Sequence, residues 1–388
     1  MKNERYSLNR RQFFSAAGLP ALALGASRTN VEAAPVDVST DRTVRLSGDG
    51  IPLTPPQYAA LLARLLEQQS MTPDSYSLGG IVEELEADAA RMLGKERAIF
   101  MPTGTLANHM AVRALAAGSS RVLVQEDSHF YQDEGDCAQT LSNLTLIPMA
   151  PGKATFTADD VERVLDETKG ARVVSRVSVI AVESPVRRKQ GEHFDAGELA
   201  KIIAIAKREG TRLHLDGARL FLQAAYTGDN VIEYAKPFDT VYVSLYKYFN
   251  AASGAILAGP RSIIDGMYHG RRMFGGGLNT VWPFALVARH YIDGFSQRYA
   301  SAVRISEDLI RGLSAHGAFT VERIPSGTNL FRLRGREIDA EGLRKRLAAR
   351  NVMLPAPQGQ TFLIGVNETM NRTTAPELLD AFVQALRA

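Results

Sequence analysis

A few short stretches of this chain carry side chains that could do chemistry. Lys247 stands in VSLYKYFN, just beyond an apolar run. An ammonium there is partly desolvated, which lowers its pKa and makes it a better amine nucleophile, unless its stem lets it snorkel to solvent. Asp216 ends the apolar run of LHLDGARLF, with Arg219 three residues on. A carboxylate there costs free energy unless a cation or donor meets it; capping of a helix from Ala218 is the plainer reading. His129 lies in QEDSHFYQDEG beside two aromatics, and Gly104 and Thr105 open a helical pattern in PTGTLAN. Free backbone N–H groups at such a helix start suit a phosphate, with N-capping by Thr103 or Thr105 as the alternative.

Singly each signal is weak, but together they fit one chemistry. A phosphate seat, a flat ring that can stack, a carboxylate partner for a pyridinium nitrogen and a strand-end lysine for a Schiff base are what a pyridoxal phosphate site requires. An Asp close to the ring nitrogen keeps it protonated, so that the ring accepts electron density from a carbanion at the substrate's Cα. The 31 residues from Asp216 to Lys247 leave room for one helix and one strand. No metal is called for, and the lone Cys137 reads as a small buried or half-buried side chain.

The elements that must position these residues alternate along the chain. Apolar, β-branched runs at 98–101, 121–125, 144–148, 177–183, 212–216, 240–245 and 254–258 read as central strands of a largely parallel sheet. Amphipathic stretches such as TLANHMAVRALAA and GELAKIIAIAKRE lie between them, giving βαβ units and an α/β fold with helices on both faces. Ligands bind beyond the carboxyl ends of such strands, where the residues above fall. After about residue 285 a long helical stretch, 284–314, leads to strands near 318–323, 328–334 and 360–366 and helices near 339–350 and 374–387. The pattern predicts a large cofactor-binding domain over 70–285 and a smaller α/β domain from 44–69 and 286–388.

GKERAIFMPTGTLAN, EDSHFYQDEG, LHLDGARLF, YKYFNAASGAILAG and RRMFGGGLN resemble, in order and spacing, the β-eliminating lyase/threonine aldolase family of fold type I pyridoxal phosphate enzymes. The resemblance implies that Lys247 joins the cofactor as a Schiff base and Asp216 pairs with its pyridine nitrogen. It places His129 on the ring, Gly104 and Thr105 on the phosphate, and Arg219 on a substrate carboxylate or a cofactor oxygen. It implies cleavage of the Cα–Cβ bond of a β-hydroxy amino acid to glycine and an aldehyde, by a homodimer or homotetramer with a small-molecule substrate. The family's Thr-His-Asn-Gly run is replaced by ESPVRRKQG, the arginine after the glycine triplet by Leu278 and Asn279, and a C-terminal arginine is missing near Thr361 and Phe362. Arg187, Arg188 or Lys189 is a candidate for anion recognition in its place. β-Elimination, racemisation or transamination on another amino acid or amine is the alternative reaction.

The first 33 residues carry a basic stretch with Arg10 and Arg11, an apolar segment from Phe13 to Leu24 and a cleavage candidate before Ala34. NRRQFF resembles the twin-arginine export signal, which predicts a protein exported already folded to the periplasm. The apolar segment is too short for a stable membrane span, which needs about 20 residues. Removing residues 1–33 takes away the formal charge of +3, so no basic face remains to argue for nucleic acid. With one cysteine an intrachain disulfide is impossible. The length of 388 residues and the 45% hydrophobic content suit a soluble protein able to bury a large core.

Overall fold

The structure, a computed structural model, describes residues 41–118, 120–173 and 175–386; the expected signal at 1–33 lies outside them. After a short β1 (Val44–Arg45), the seven apolar runs form β2 (Arg97–Met101), β3 (Arg121–Gln125), β4 (Thr145–Met149), β5 (Val177–Glu183), β6 (Arg212–Asp216), β7 (Thr240–Ser244) and β8 (Ala255–Gly259). All seven join one sheet in the order β2-β8-β7-β6-β5-β3-β4. Six point the same way, and β8 runs against both of its neighbours. Pro148 is tolerated because β4 is an edge strand, where its missing N–H interrupts no ladder.

The strands read apolar throughout because both faces are covered. Phe100, Leu123, Ile180 and Val182 point into one core, while their neighbours Met101, Val122, Val179 and Ala181 point into clusters on the opposite face. The helices Ala158–Lys169 and Ala196–Glu209 supply Val161, Leu165, Ile202 and Ile205 to the first core.

Beyond residue 318, β9 (Phe319–Arg323), β10 (Leu330–Gly335) and β12 (Thr361–Gly365) form an antiparallel sheet in the order β12-β10-β9, and β11 (Val352–Met353) pairs with β1. The long stretch expected as one helix is two, Trp282–Ile292 and Phe295–Ala315, separated at Asp293 and Gly294, whose φ of 66° is left-handed. The cores also divide differently from the expected boundaries. Val44 and Leu46 pack with the C-terminal sheet, but Leu61 and Leu65 of helix Pro55–Gln68 pack with the large one. Helix Phe295–Ala315 serves both cores, placing Phe295 and Tyr299 in the first and Leu309 and Leu313 in the second. Both belong to one compact unit.

Candidate active site

The carboxyl ends of β2, β3, β5, β6 and β7 meet along one edge of the sheet. A cavity of about 400 Å³ lies there, lined by Gly104, Thr105, His129, Asp216, Arg219 and Lys247, so all six expected residues come together. It shares His129, Arg187, Arg219, Tyr246 and Lys247 with a wider chamber of about 880 Å³, whose other wall is Ile51, Pro52, Leu53, Tyr58 and Leu62. A third space of about 260 Å³ reaches from Arg187 and Arg219 to Asn329 and Gln358.

Each position has a local cause. Thr103 caps the helix Gly104–Ala116, accepting from Leu106 N at 3.1 Å, and the first-turn amides of Gly104 and Thr105 lack helical partners. Gly104 sits so close to Tyr242 that a Cβ there would lie 2.1 Å from the phenol oxygen. Ser128 donates to Gln125 O at 2.7 Å and caps the turn beginning at His129, which fixes that residue above the end of β3. The loop after β7 carries Lys247. The amino-terminal loop crosses it at Gly50, where a Cβ would meet Lys247 O at 2.2 Å, and Ile51 N donates to Asn250 Oδ1 at 2.7 Å.

Behind Asp216 runs a buried relay whose donor directions are fixed by chemistry. Asn108 Nδ2 donates to Asp216 Oδ2 and Glu134 Oε1, both at 2.8 Å. A carboxylate offers only acceptors, so Asn108 must present Nδ2 to them and keep Oδ1 for His214 Nε2 at 3.0 Å. His214 Nε2 is therefore the protonated nitrogen, and Nδ1 accepts from Thr240 Oγ1 at 2.9 Å. Burial depresses the His214 pKa to about 4, which keeps this neutral tautomer. Asp216 Oδ1 accepts from Ala218 N at 3.1 Å, a bond within the turn; the helix expected from Ala218 begins only at Leu220 and has no side-chain cap, so Asp216 caps no helix and this turn bond is half of what holds the carboxylate.

The same cluster holds His129. Its Nδ1 is 2.9 Å from Glu134 Oε1, and that hydrogen bond raises the imidazole pKa, while burial raises Glu134 to about 7. Glu183, in register with Asp216 on the adjacent strand, is buried, and this burial, then the Asp216 charge, lifts its pKa above the ordinary carboxylate range. Its two oxygens grip backbone: Oε2 accepts from His129 N at 2.5 Å and Oε1 from Arg187 N at 2.8 Å.

Burial, then the nearby Arg219 charge, depresses Lys247 to about 8. Among the described residues its Nζ has no hydrogen-bond partner, and the Tyr246 and Tyr242 ring centroids lie 5.5 and 6.0 Å away. Arg219 is paired to Asp49 at 2.9 Å, and both side chains are largely covered. Sequence reasoning missed Asp49, Asn108, Glu134, Glu183 and His214. Asn108, Glu134, Glu183 and His214 all stood within quoted motifs, but only Glu183 and His214 stood out as polar residues in apolar strands. Of the three candidate anion binders, Arg188 is spent on Asp133 at 2.6 Å and Lys189 on Gly152 O at 2.6 Å, whereas Arg187 lines all three spaces.

These residues fit pyridoxal phosphate. The unpartnered Lys247 Nζ suits its aldehyde, the braced Asp216 carboxylate its ring nitrogen, and the free amides at Gly104 and Thr105 its phosphate.

Comparison with known proteins agrees with this geometry. Residues 60–334 match the description "Beta-eliminating lyase". The chain is 26% identical over 309 residues to a low-specificity L-threonine aldolase of Arabidopsis thaliana, covering 78% of this chain and 86% of that one. It is 31% identical over 212 residues to an alanine racemase of Cochliobolus carbonum, covering 53% and 52%. A solved structure of a candidate L-allo-threonine aldolase of Listeria monocytogenes superposes with a TM-score of 0.73 at 26% identity, over 90% of this chain and 97% of that one.

Proposed function

The chain belongs to the beta-eliminating lyase family, and from that premise we propose that it is a pyridoxal phosphate-dependent lyase of the threonine aldolase type. It cleaves the Cα–Cβ bond of a β-hydroxy amino acid to give glycine and an aldehyde. The observation that carries this reading is the meeting of Gly104, Thr105, His129, Asp216 and Lys247 in one cavity. The names of its relatives point the same way.

The cofactor, when bound, supplies an aldehyde for the substrate's amine and a ring that draws off the electron pair left at Cα. Asp216, held from both oxygens, keeps a negative charge at the ring nitrogen without turning toward solvent. Lys247 Nζ, with its pKa brought down to about 8, exchanges its proton within reach of neutral pH, so it can give way to the substrate's amine and then carry a proton to Cα. The β-hydroxyl must lose its proton as the bond breaks. His129 is the single imidazole lining the three spaces among the described residues, and with Nδ1 engaged by Glu134 its Nε2 is the nitrogen left to take that proton. The apolar wall of Ile51, Leu53, Tyr58 and Leu62 excludes water and accommodates a large β-substituent. Incubating the purified protein with threonine isomers and phenylserine and identifying the products tests this. Glycine with an aldehyde supports it; a keto acid with ammonia does not.

One observation favours a second reaction. The segment ESPVRRKQG, which stands where the family has its Thr-His-Asn-Gly run, holds no histidine, its Val186 is buried and apolar, and one relative is a racemase. Racemisation would need no hydroxyl base there, and inversion of a single alanine enantiomer would reveal it. Export by the twin-arginine route rests on NRRQFF, and a reporter fused to residues 1–33 tests it. Assembly as a homodimer or homotetramer, tested by sedimentation, completes the proposal.

A further inference from the structure

The resemblance puts Arg219 on the substrate's carboxylate, but Arg219 already has a carboxylate. Its Nε and Nη2 both lie 2.9 Å from Asp49 Oδ2, in a pair whose side chains are 11% and 17% exposed. Asn329 Nδ2 adds a longer contact of 3.4 Å to Asp49 Oδ1. A second carboxylate brought to Arg219 would meet the Asp49 charge at close range, which disfavours both.

Arg187 differs in each respect. It follows β5 in the turn Arg187–Lys189, exposed at the point where the three spaces meet. Its guanidinium makes no hydrogen bond or ion pair among the described residues. Asp49 and Asp133 feel its charge, but each is engaged by another arginine. Its backbone is nevertheless fixed, because Glu183 Oε1 accepts its N–H while Oε2 accepts that of His129. One buried carboxylate thus sets the spacing between the imidazole and the foot of the arginine.

We propose that Arg187 is the side chain that holds the carboxylate of the amino-acid substrate, with the Arg219–Asp49 pair as a fixed floor beneath it. This rests on the reading of the site as a pyridoxal phosphate lyase. The planar guanidinium offers two parallel N–H donors to a carboxylate, so the substrate would be oriented as well as attracted. It fits α-amino acids and disfavours the corresponding amines.

The test is binding of glycine and of methylamine, which lacks the carboxylate, to the holoenzyme, followed by the cofactor's visible absorbance. Arg187→Ala should raise the glycine Kd about 10- to 100-fold and leave methylamine within twofold, the range of a lost charge-assisted pair. Arg187→Lys should fall between, and Lys189→Ala should match wild type. Circular dichroism should be unchanged, since the substituted side chain supports no contact. Unchanged glycine binding in Arg187→Ala, with a normal wild-type response, overturns the assignment alone. A raised cofactor Kd with unaltered glycine affinity moves Arg187 to the phosphate and overturns it too. A wild-type protein with no visible band and no response to either amine removes the underlying lyase reading and the assignment with it.

Discussion

Replacing Asn108 by alanine should damage the site from behind, without touching a residue that lines it. One amide nitrogen serves both Asp216 and Glu134, and its oxygen takes the His214 N–H. A hydrogen bond to a charged group contributes about 1.5–3 kcal/mol, and a buried neutral donor left unpaired costs about 1–3 kcal/mol. Without relaxation the three losses reach about 4–9 kcal/mol. A water entering the vacated space would restore part, so about 3–5 kcal/mol is expected. That is a large share of the ordinary 5–15 kcal/mol of a folded protein. Denaturant titration of the cofactor-free protein measures it, and dialysis equilibrium with pyridoxal phosphate should show a Kd raised tenfold or more as Asp216 loses its brace. Asn108→Asp, nearly the same shape but without the donor, should weaken cofactor binding further by setting a third carboxylate beside two. Stability within about 0.5 kcal/mol of wild type, with unchanged cofactor affinity in both variants, would show that the relay does not position Asp216.

Other consequences are equally direct. With the Lys247 pKa near 8, about a tenth of the amine is neutral at pH 7, so capture of cofactor by the free protein should quicken about tenfold per pH unit below 7 and level off above 8. Stopped-flow absorbance reads this, and a rise continuing to pH 10 contradicts the depressed pKa. Asp49→Asn strands a covered guanidinium and should lower stability by about 3 kcal/mol, measured by denaturation; a neutral effect would mean that Arg219 can turn to solvent. Gly104→Ala drives a methyl into the Tyr242 hydroxyl and should cost both stability and cofactor affinity, and Tyr242→Phe in the same chain should return part of each.

Sequence reasoning found the strands and strand-end residues because both depend on local pattern. Apolar runs of five to seven residues announce central strands, and Asp216 and Lys247 stand out as charges where the pattern ends. Strand direction was hidden: β8 is apolar on both faces like the strands that run the other way, and nothing in AILAG distinguishes it from them. The braces were hidden for a different reason. Asn108 reads as an ordinary helix residue, and its partner Asp216 lies 108 positions on; Asp49 and Arg219 are 170 apart. Such pairings follow from the order of strands in the sheet, which local pattern does not encode. The divided roles of Arg187, Arg188 and Lys189 depended likewise on which neighbours the fold brings to that turn.

The reversed strand β8 also sets a timetable. β2 lies at the edge of the sheet and its only strand partner among the described residues is β8, with Met101 opposite Ala255 and Ser253 Oγ donating to Pro102 O at 2.9 Å. On a growing chain, β2 and the phosphate seat that follows it emerge more than 150 residues before that partner exists. Until β8 is made, β2 is an unpaired apolar strand, a hazard for wrong association. The lysine and the reversed strand arrive together, so the step that closes the sheet also delivers the amine to the cavity. A ribosome-bound chain stopped before residue 247 should therefore capture no cofactor, however much of the sheet it has formed.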